Sequence, residues 1–322
     1  MQPQLNLLIL HTEGEQTLSD WNRVKEGVDR KAPEIETRIV NTSSFDEVAR
    51  LRRWQGSRPS LVFSASGMRL YKPAGGTVLI SGQIPEEQQY PRLAAAGVAA
   101  PKTLELMPGM LLNSTVWGEY VIFKPIGTAQ GSNLRLVRTE DVAKRYSALT
   151  NIHQIKRPLI ISKATRSLVK RYIHSVDKRG FPIEYRVLTM FGSVLYAAMN
   201  RGTERRPQLA EFAKDFRAIP SSDEPSIKPH RTLEYNEDVL QLARSAAAVF
   251  PEAACLGIDI LRESSTGELF VIEVNSGGHI WNFSSKRSQG YNPAFRRSLY
   301  TQFNALDRTA DLLIEKTRAL AS

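Results

Sequence analysis

Apolar and polar positions follow two rhythms along this chain. "LNLLIL" (5–10), "ETRIVN" (36–41), "SLVFSAS" (60–66) and "TVLISG" (77–82) are short apolar or alternating runs, the signature of strands. Between the first two, "LSDWNRVKEGVDRKA" carries its apolar residues at helical spacing. After them, "SFDEVARLRRWQG" opens with Ser44 and Glu47 in capping-box spacing and stops at Gly56. The alternation predicts a small doubly wound α/β unit on a parallel sheet. It is too short for a full dinucleotide-binding domain and lacks the glycine fingerprint.

From Tyr90 the rhythm changes. "YPRLAAAGVAAPKTLEL" predicts a helix closed by Gly97, then an extended segment. Two hairpins follow, "EYVIFKPIGTAQGSNLRLVR" and "EYRVLTMFGSVLYAAMNRG", the second turning at Gly192–Ser193. Residues 202–232 are charged and poorly patterned. Asn236 then caps a helix, "EDVLQLARSAAAVF", ahead of a third hairpin, "GIDILRESSTGELFVIEVN". One closing helix is predicted over "SLYTQFNALDRTADLLIEKTRAL".

Bulk properties narrow the class. The chain has 322 residues, 42% hydrophobic and 24% charged, which suits two or three domains of an ordinary globular protein. No apolar run approaches the roughly 18 residues that span a bilayer, and "MQPQLNLLILHTEGE" lacks the basic start of a signal peptide. Cys255, the lone cysteine, reads as a small buried hydrophobe and permits no internal disulfide, which suits a cytoplasmic setting. A formal net charge of +10 favours anionic partners. The basic residues are dispersed and no nucleic-acid motif is present, so nucleic acid ranks last among them.

The chemistry concentrates in "VIEVNSGGH" (271–279). With the loop of the third hairpin centred on Thr266, Asp259 faces Glu273, and strand period places Asn275 on the same face as Glu273. Two carboxylates directly opposed repel one another unless a cation lies between them. Oxygen ligands without His or Cys favour Mg²⁺ or Mn²⁺. The plain alternative is that a register shift turns one carboxylate to solvent. In the first hairpin, Lys124 ends an apolar strand before a loop containing Gly127, Gly131 and Ser132, able to fold over a phosphate chain. In the second, the predicted turn pairs Arg186 with Met199 and brings Arg201 diagonally beside it on one face, as a guanidinium pair for phosphate or an oxyanion.

Strand-Lys-Pro with a glycine hairpin, acid-x-Arg with a second hairpin, then G-x-D and E-V-N: in this order the motifs resemble the ATP-grasp superfamily. The ribosomal-protein glutamate ligase and glutathione synthetase type of carboxylate–amine ligase is the nearest likeness, from about Gln83 to Phe283. The resemblance implies an α/β (α+β) ATP-grasp fold: an N-terminal α/β domain (1–89), a central subdomain with the lid hairpin (90–170) and a C-terminal lobe with the metal site (171–322). It further implies Lys124 on an ATP phosphate, Gly127 to Ser132 as the lid, and Arg186 and Arg201 over the transferring phosphate. Asp259, Glu273 and Asn275 would be ligands of two Mg²⁺ ions, with Ser276 to Gly278 beside the acceptor. Arg171, Tyr172 and Ile173 match the adenine hinge by backbone only, because Lys170 and Arg171 stand where the family carries Gln and Glu. Glu184 is a candidate ribose or phosphate-site acid, with Asp177 as competitor.

The implied reaction joins a carboxylate to an amine through an acyl phosphate, releasing ADP and phosphate. Phosphoryl transfer to a small molecule and non-catalytic nucleotide binding are the alternatives. Trp281, Lys286 and Arg287 in the loop after His279 point to an acidic substrate, such as a glutamyl peptide or a free amino acid. No membrane partner is implied, and homo-oligomers are common in the families resembled.

Overall fold

The first apolar run becomes β1 (Leu5–His11), every residue of which is buried, as expected of a parallel strand covered on both faces. Its neighbours β2 (Ile35–Asn41) and β3 (Ser60–Ser64), with β4 (Thr77–Ile80) beyond β3, all run parallel in the order β2-β1-β3-β4. The structure, a computed structural model, describes residues 5–42, 60–66, 76–126, 134–144, 166–210, 213, 229–277 and 280–319. The helix expected over 44–56 lies outside them. Helix α1 (Leu18–Lys31) buries Trp21, Val24 and Val28, each contributing on the order of 1.5–3 kcal/mol.

Helix α2 (Glu86–Ala95) begins four residues before Tyr90 and ends ahead of Gly97, whose φ of +68° is the left-handed turn that glycine permits. It leads to a second sheet: β5 (Thr103–Glu105), β6 (Tyr120–Pro125), β7 (Arg135–Arg138) and β8 (Ser167–Arg171), antiparallel in the order β5-β8-β6-β7. A short helix, α3 (Ser114–Trp117), precedes β6.

The third sheet holds β9 (Ile183–Met190), β10 (Ser193–Arg201), β11 (His230–Leu233), β12 (Cys255–Arg262) and β13 (Leu269–Asn275), antiparallel in the order β11-β10-β9-β12-β13. Helix α4 (Glu237–Ala248) packs on it through Val239, Leu240 and Ala243, and its cap, Asn236, accepts a hydrogen bond from the Asp238 N–H at 3.0 Å. The predicted closing helix is instead two, α5 (Pro293–Gln302) and α6 (Ala305–Arg318). The break falls at Asn304, whose φ of +51° is a conformation that asparagine tolerates and a helix interior does not.

Helix α6 returns to the N-terminal unit, where Ala310 approaches so closely that a Cβ on Gly27 would lie 3.0 Å from its own. One hydrophobic core consequently joins β1, α1 and β3 to Leu188, Tyr196, Trp281 and α6. A polar contact adds to it: the Cys255 N–H donates to Ser81 Oγ at 2.8 Å, and that hydroxyl donates to the Cys255 carbonyl at 3.1 Å. Cys255 itself is fully buried, and burial pushes its thiol well above the usual range, as befits a packing residue. Among the described residues no helix is long and apolar enough to cross a membrane.

Candidate active site

One row of side chains crosses three strands of the third sheet: Arg186 on β9 faces Asp259 on β12, which faces Glu273 on β13. The opposition of Asp259 and Glu273 agrees with the sequence pattern, although two offsets underlie it. The loop pairs Ile260 with Val271 and Arg262 with Leu269, one residue away from a loop centred on Thr266; a bulge at Ile272 restores the register before Asp259. Asn275 shares the face, and its Nδ2 donates to Asp259 Oδ2 at 3.0 Å. Arg186 Nε forms an ion pair with the other oxygen of the 3%-exposed Asp259. Gly257, opposite Asn275, makes room: a Cβ there would lie 3.1 Å from Arg186 Nη1 and 3.2 Å from Ile280 Cγ2.

The second sheet meets this row through Lys124. Its Nζ lies 3.4 Å from Glu273 Oε1 and 2.6 Å from Glu86 Oε2, at the first residue of α2. Glu86 also pairs with Lys170 of β8, whose Nζ donates to the Tyr90 hydroxyl at 2.6 Å. Tyr90 in turn donates to the carbonyl of the bulged Ile272. Burial opposes ionisation of Glu86, but Lys170 and Lys124 outweigh it and hold its carboxyl below the usual range. Burial likewise opposes the charge on Lys124, and Glu273 with Glu86 reverses the balance, raising its pKa. For Lys170 burial prevails over Glu86 and lowers it. Sequence reasoning missed Glu86 and Tyr90: neither carries a local signal, because Lys124, Lys170 and Ile272 are all distant in the chain.

The two arginines do not sit together, which corrects the expected register of β9–β10. The turn is Phe191–Gly192, both at positive φ, and a bulge follows at Leu195, so Arg186 faces Ala198 rather than Met199. A one-residue slip exchanges the faces of a strand. Arg201 lies on the opposite face, 2.6 Å from Asp177 and stacked over Phe181, which also engages the acid considered as a competitor to Glu184. Beside Arg186 stand Asn200 and, paired with it on β11, Arg231. These three, with Asn282, Arg287 and Tyr291, line a pocket adjoining the carboxylate row. Arg231 stacks over the Tyr291 ring at 4.1 Å. Arg287 belongs to the loop singled out from the sequence; Lys286 there is exposed and Trp281 fully buried.

Glu184 faces Asn200 on the Arg186 side of the sheet. At the end of β8, Arg171 pairs with Glu263 at 2.6 Å and Ile173 is buried. The N–H groups of Arg171 and Tyr172 donate to the carbonyls of Lys102 and Tyr120 at 2.8 and 3.2 Å. Gly127, Gly131, Ser132, Gly278 and His279 lie outside the described residues.

Two carboxylates and an amide on one strand-pair face are hard oxygen donors, suited to Mg²⁺, which binds through one or two carboxylates and fills its shell with water and phosphate oxygens. Among the described residues no group of three His, Cys, Asp or Glu side chains forms a richer metal cage. Arg186 and Lys124 now balance the two carboxylates, so the donor set fits a cation that arrives together with an anionic ligand.

No protein-family model and no curated protein matches the sequence. Solved structures do match the fold. The ATP-grasp ligase PsnB complexed with a minimal precursor superposes with a TM-score of 0.55 at 16% identity, over 98% of this chain and 100% of that one. PsnB with the minimal precursor, Mg and ADP gives 0.52 at 15% identity, over 97% and 98%. PsnB with the precursor peptide PsnA2 and AMPPNP gives 0.51 at 13%, over 100% and 99%. The chain has the ATP-grasp fold. Within this fold, the carboxylate row belongs to the third sheet and Lys124 to the second, so the candidate site is assembled where the two sheets meet.

Proposed function

We propose that the protein is an ATP-dependent carboxylate–amine ligase that forms an amide through an acyl phosphate and releases ADP and phosphate. The observation that carries this reading is the row Arg186–Asp259–Glu273 with Asn275 beside it, met from the second sheet by Lys124. It supplies oxygen donors for Mg²⁺, a lysine for the nucleotide phosphates and a guanidinium beside the transferring group, all within an ATP-grasp fold.

In this reading Asp259, Glu273 and Asn275 hold Mg²⁺, which offsets phosphate charge when bound. Lys124 exchanges Glu86 and Glu273 for phosphate oxygens as a point charge. Arg186 steadies the phosphoryl group as it passes from ATP to a substrate carboxylate, and Arg231 is the second guanidinium on that face, the place expected for Arg201. The amine then attacks the acyl carbon and phosphate departs. No side-chain nucleophile is needed; positioning and charge neutralisation supply the rate. PsnB is an ATP-grasp ligase seen complexed with a minimal precursor and with the precursor peptide PsnA2, and the basic pocket supports a peptide or amino-acid carboxylate as the first substrate class to examine.

The test is ATP turnover with Mg²⁺ over mixtures of amino acids and short acidic peptides, reading ADP, phosphate and new masses together. A condensed product that vanishes in Glu273→Ala supports the ligase. A stable phosphoester in place of an amide would make the protein a phosphotransferase, and tight MgATP binding without turnover on any mixture would make it a nucleotide-binding protein.

A further inference from the structure

Asp20 lies in the first turn of α1, in the N-terminal unit, and lines no part of the pocket. It is 4% exposed. Its Oδ2 accepts from Trp281 Nε1 at 2.8 Å and from Ser284 Oγ at 2.6 Å, and its Oδ1 accepts from the Tyr300 hydroxyl at 3.0 Å. All three donors are neutral, and the carboxylate gains further support from the N-terminal end of its own helix. The same unit adds two backbone ties: the Thr17 N–H donates to Ser284 Oγ at 3.0 Å, and the Lys286 N–H donates to the Gly14 carbonyl at 2.8 Å.

Every one of these ties ends on the segment between β13 and α6, and that segment forms one wall of the pocket. Asn282, beside Trp281, is 6% exposed; its Nδ2 donates to Tyr196 at 2.7 Å, while its Oδ1 is buried without a hydrogen-bond partner among the described residues. Arg287 and Tyr291 follow in the same wall, and Tyr291 carries the stacked Arg231. Three guanidiniums, those of Arg186, Arg231 and Arg287, line the same pocket, a charge arrangement suited to an anionic group.

We propose that Asp20 is a positioning residue for substrate: it fixes the 280–291 segment so that Asn282, Arg287 and Tyr291 close the pocket against Arg186 and Arg231. The N-terminal unit thereby takes part in recognising the anionic substrate group without touching it. The inference rests on the ligase reading for the pocket's role. A simple buttress between two units would lower stability and impair every ligand alike. A positioning residue separates the ligands: nucleotide binding, at Lys124 and the carboxylate row, survives, and anion binding in the pocket does not.

The experiment uses the full chain and inorganic phosphate as the pocket probe, titrated calorimetrically with MgADP saturating so that the nucleotide site is filled. Arg231→Gln locates the signal, since phosphate that still binds this variant is elsewhere. Asp20→Ala is expected to weaken phosphate at least tenfold and leave the MgADP affinity within twofold. Asp20→Asn is expected to stay within threefold of wild type, because its amide oxygen can accept from Trp281 and Ser284 while its Nδ2 donates to the Tyr300 oxygen. Ser284→Ala, which removes one of the three donors, gives a milder loss and serves if Asp20→Ala does not fold. Equal loss of phosphate and MgADP in the Asp20 or Ser284 variants, unchanged phosphate affinity in Asp20→Ala, or no pocket binding by wild type each overturns the proposal. Should MgADP fail to bind wild type, the ligase reading falls, and the phosphate titration repeated without nucleotide still judges Asp20.

Discussion

Hairpin β12–β13 gathers Asp259, Glu273 and Asn275 on one face, whereas β9–β10 sends its two arginines to opposite faces. Each contains one bulge. In β12–β13 the extra residue, Ile272, cancels the offset of the connection, and Asp259 opposes Glu273. In β9–β10 the turn at Phe191–Gly192 and the bulge at Leu195 do not cancel in that way, and Arg186 and Arg201 part company. Bulges are points where a strand re-aims its side chains. Here one of them aligns the candidate carboxylate row and the other commits a guanidinium to an ion pair with Asp177.

The sharpest way to break the comparison is to disable the assembled hairpin. Glu273→Ala is expected to lower ATP turnover by about 10²–10³-fold with the fold intact, as for loss of a charge-stabilising group; near-normal turnover would remove the row from the chemistry. Next come the two arginines as a matched pair. Arg186→Gln should cost about 10²-fold in kcat, and Arg201→Gln should stay within about threefold. Equal losses would mean that the two faces act together after all.

Glu86→Gln addresses the contact between the sheets. It deprives buried Lys170 of its carboxylate and leaves Lys124 with Glu273 alone, and should destabilise the protein by about 3 kcal/mol at neutral pH. Because the Glu86 carboxyl is held below its usual value of 4.5, its stabilisation is present above that value and is lost as pH falls through the lower folded-state pKa. The gap between wild type and variant in denaturant melts should therefore narrow below about pH 4; a constant gap would mean that the charge is immaterial. The smallest effect is expected from Gly257→Ala, where the added Cβ presses on Arg186 and Ile280, costing about 1–2 kcal/mol in thermal melts.

Periodicity made most of the strands legible, along with the parallel N-terminal sheet, because β1 and β3 are continuous apolar runs that only full burial explains. It also put Asp259, Glu273 and Asn275 on one face, and the resemblance to the ATP-grasp superfamily implied a role for Lys124 with them. What it could not supply was the bulges, since an inserted residue leaves the composition of a strand unchanged. For β12–β13 the expected register was right through two compensating offsets; for β9–β10 a single uncompensated residue put Arg201 on the wrong side. Arg231, Asn282 and Asp20 were illegible for another reason: their partners lie on other elements. The split of the closing helix at Asn304 was missed because the apolar spacing continues across the break.

The reciprocal hydrogen bonds between Ser81 and Cys255 have a mechanical consequence. They tie the residue after β4 to the start of β12, so the N-terminal sheet and the carboxylate hairpin are joined directly in one connected body, and Cys255 shares the N-terminal core. The second sheet is held to that body at the site largely by charge, at Glu86 and Glu273. Lys124 crosses that contact, and in the proposed ligase a nucleotide entering there would exchange one set of counter-ions for another.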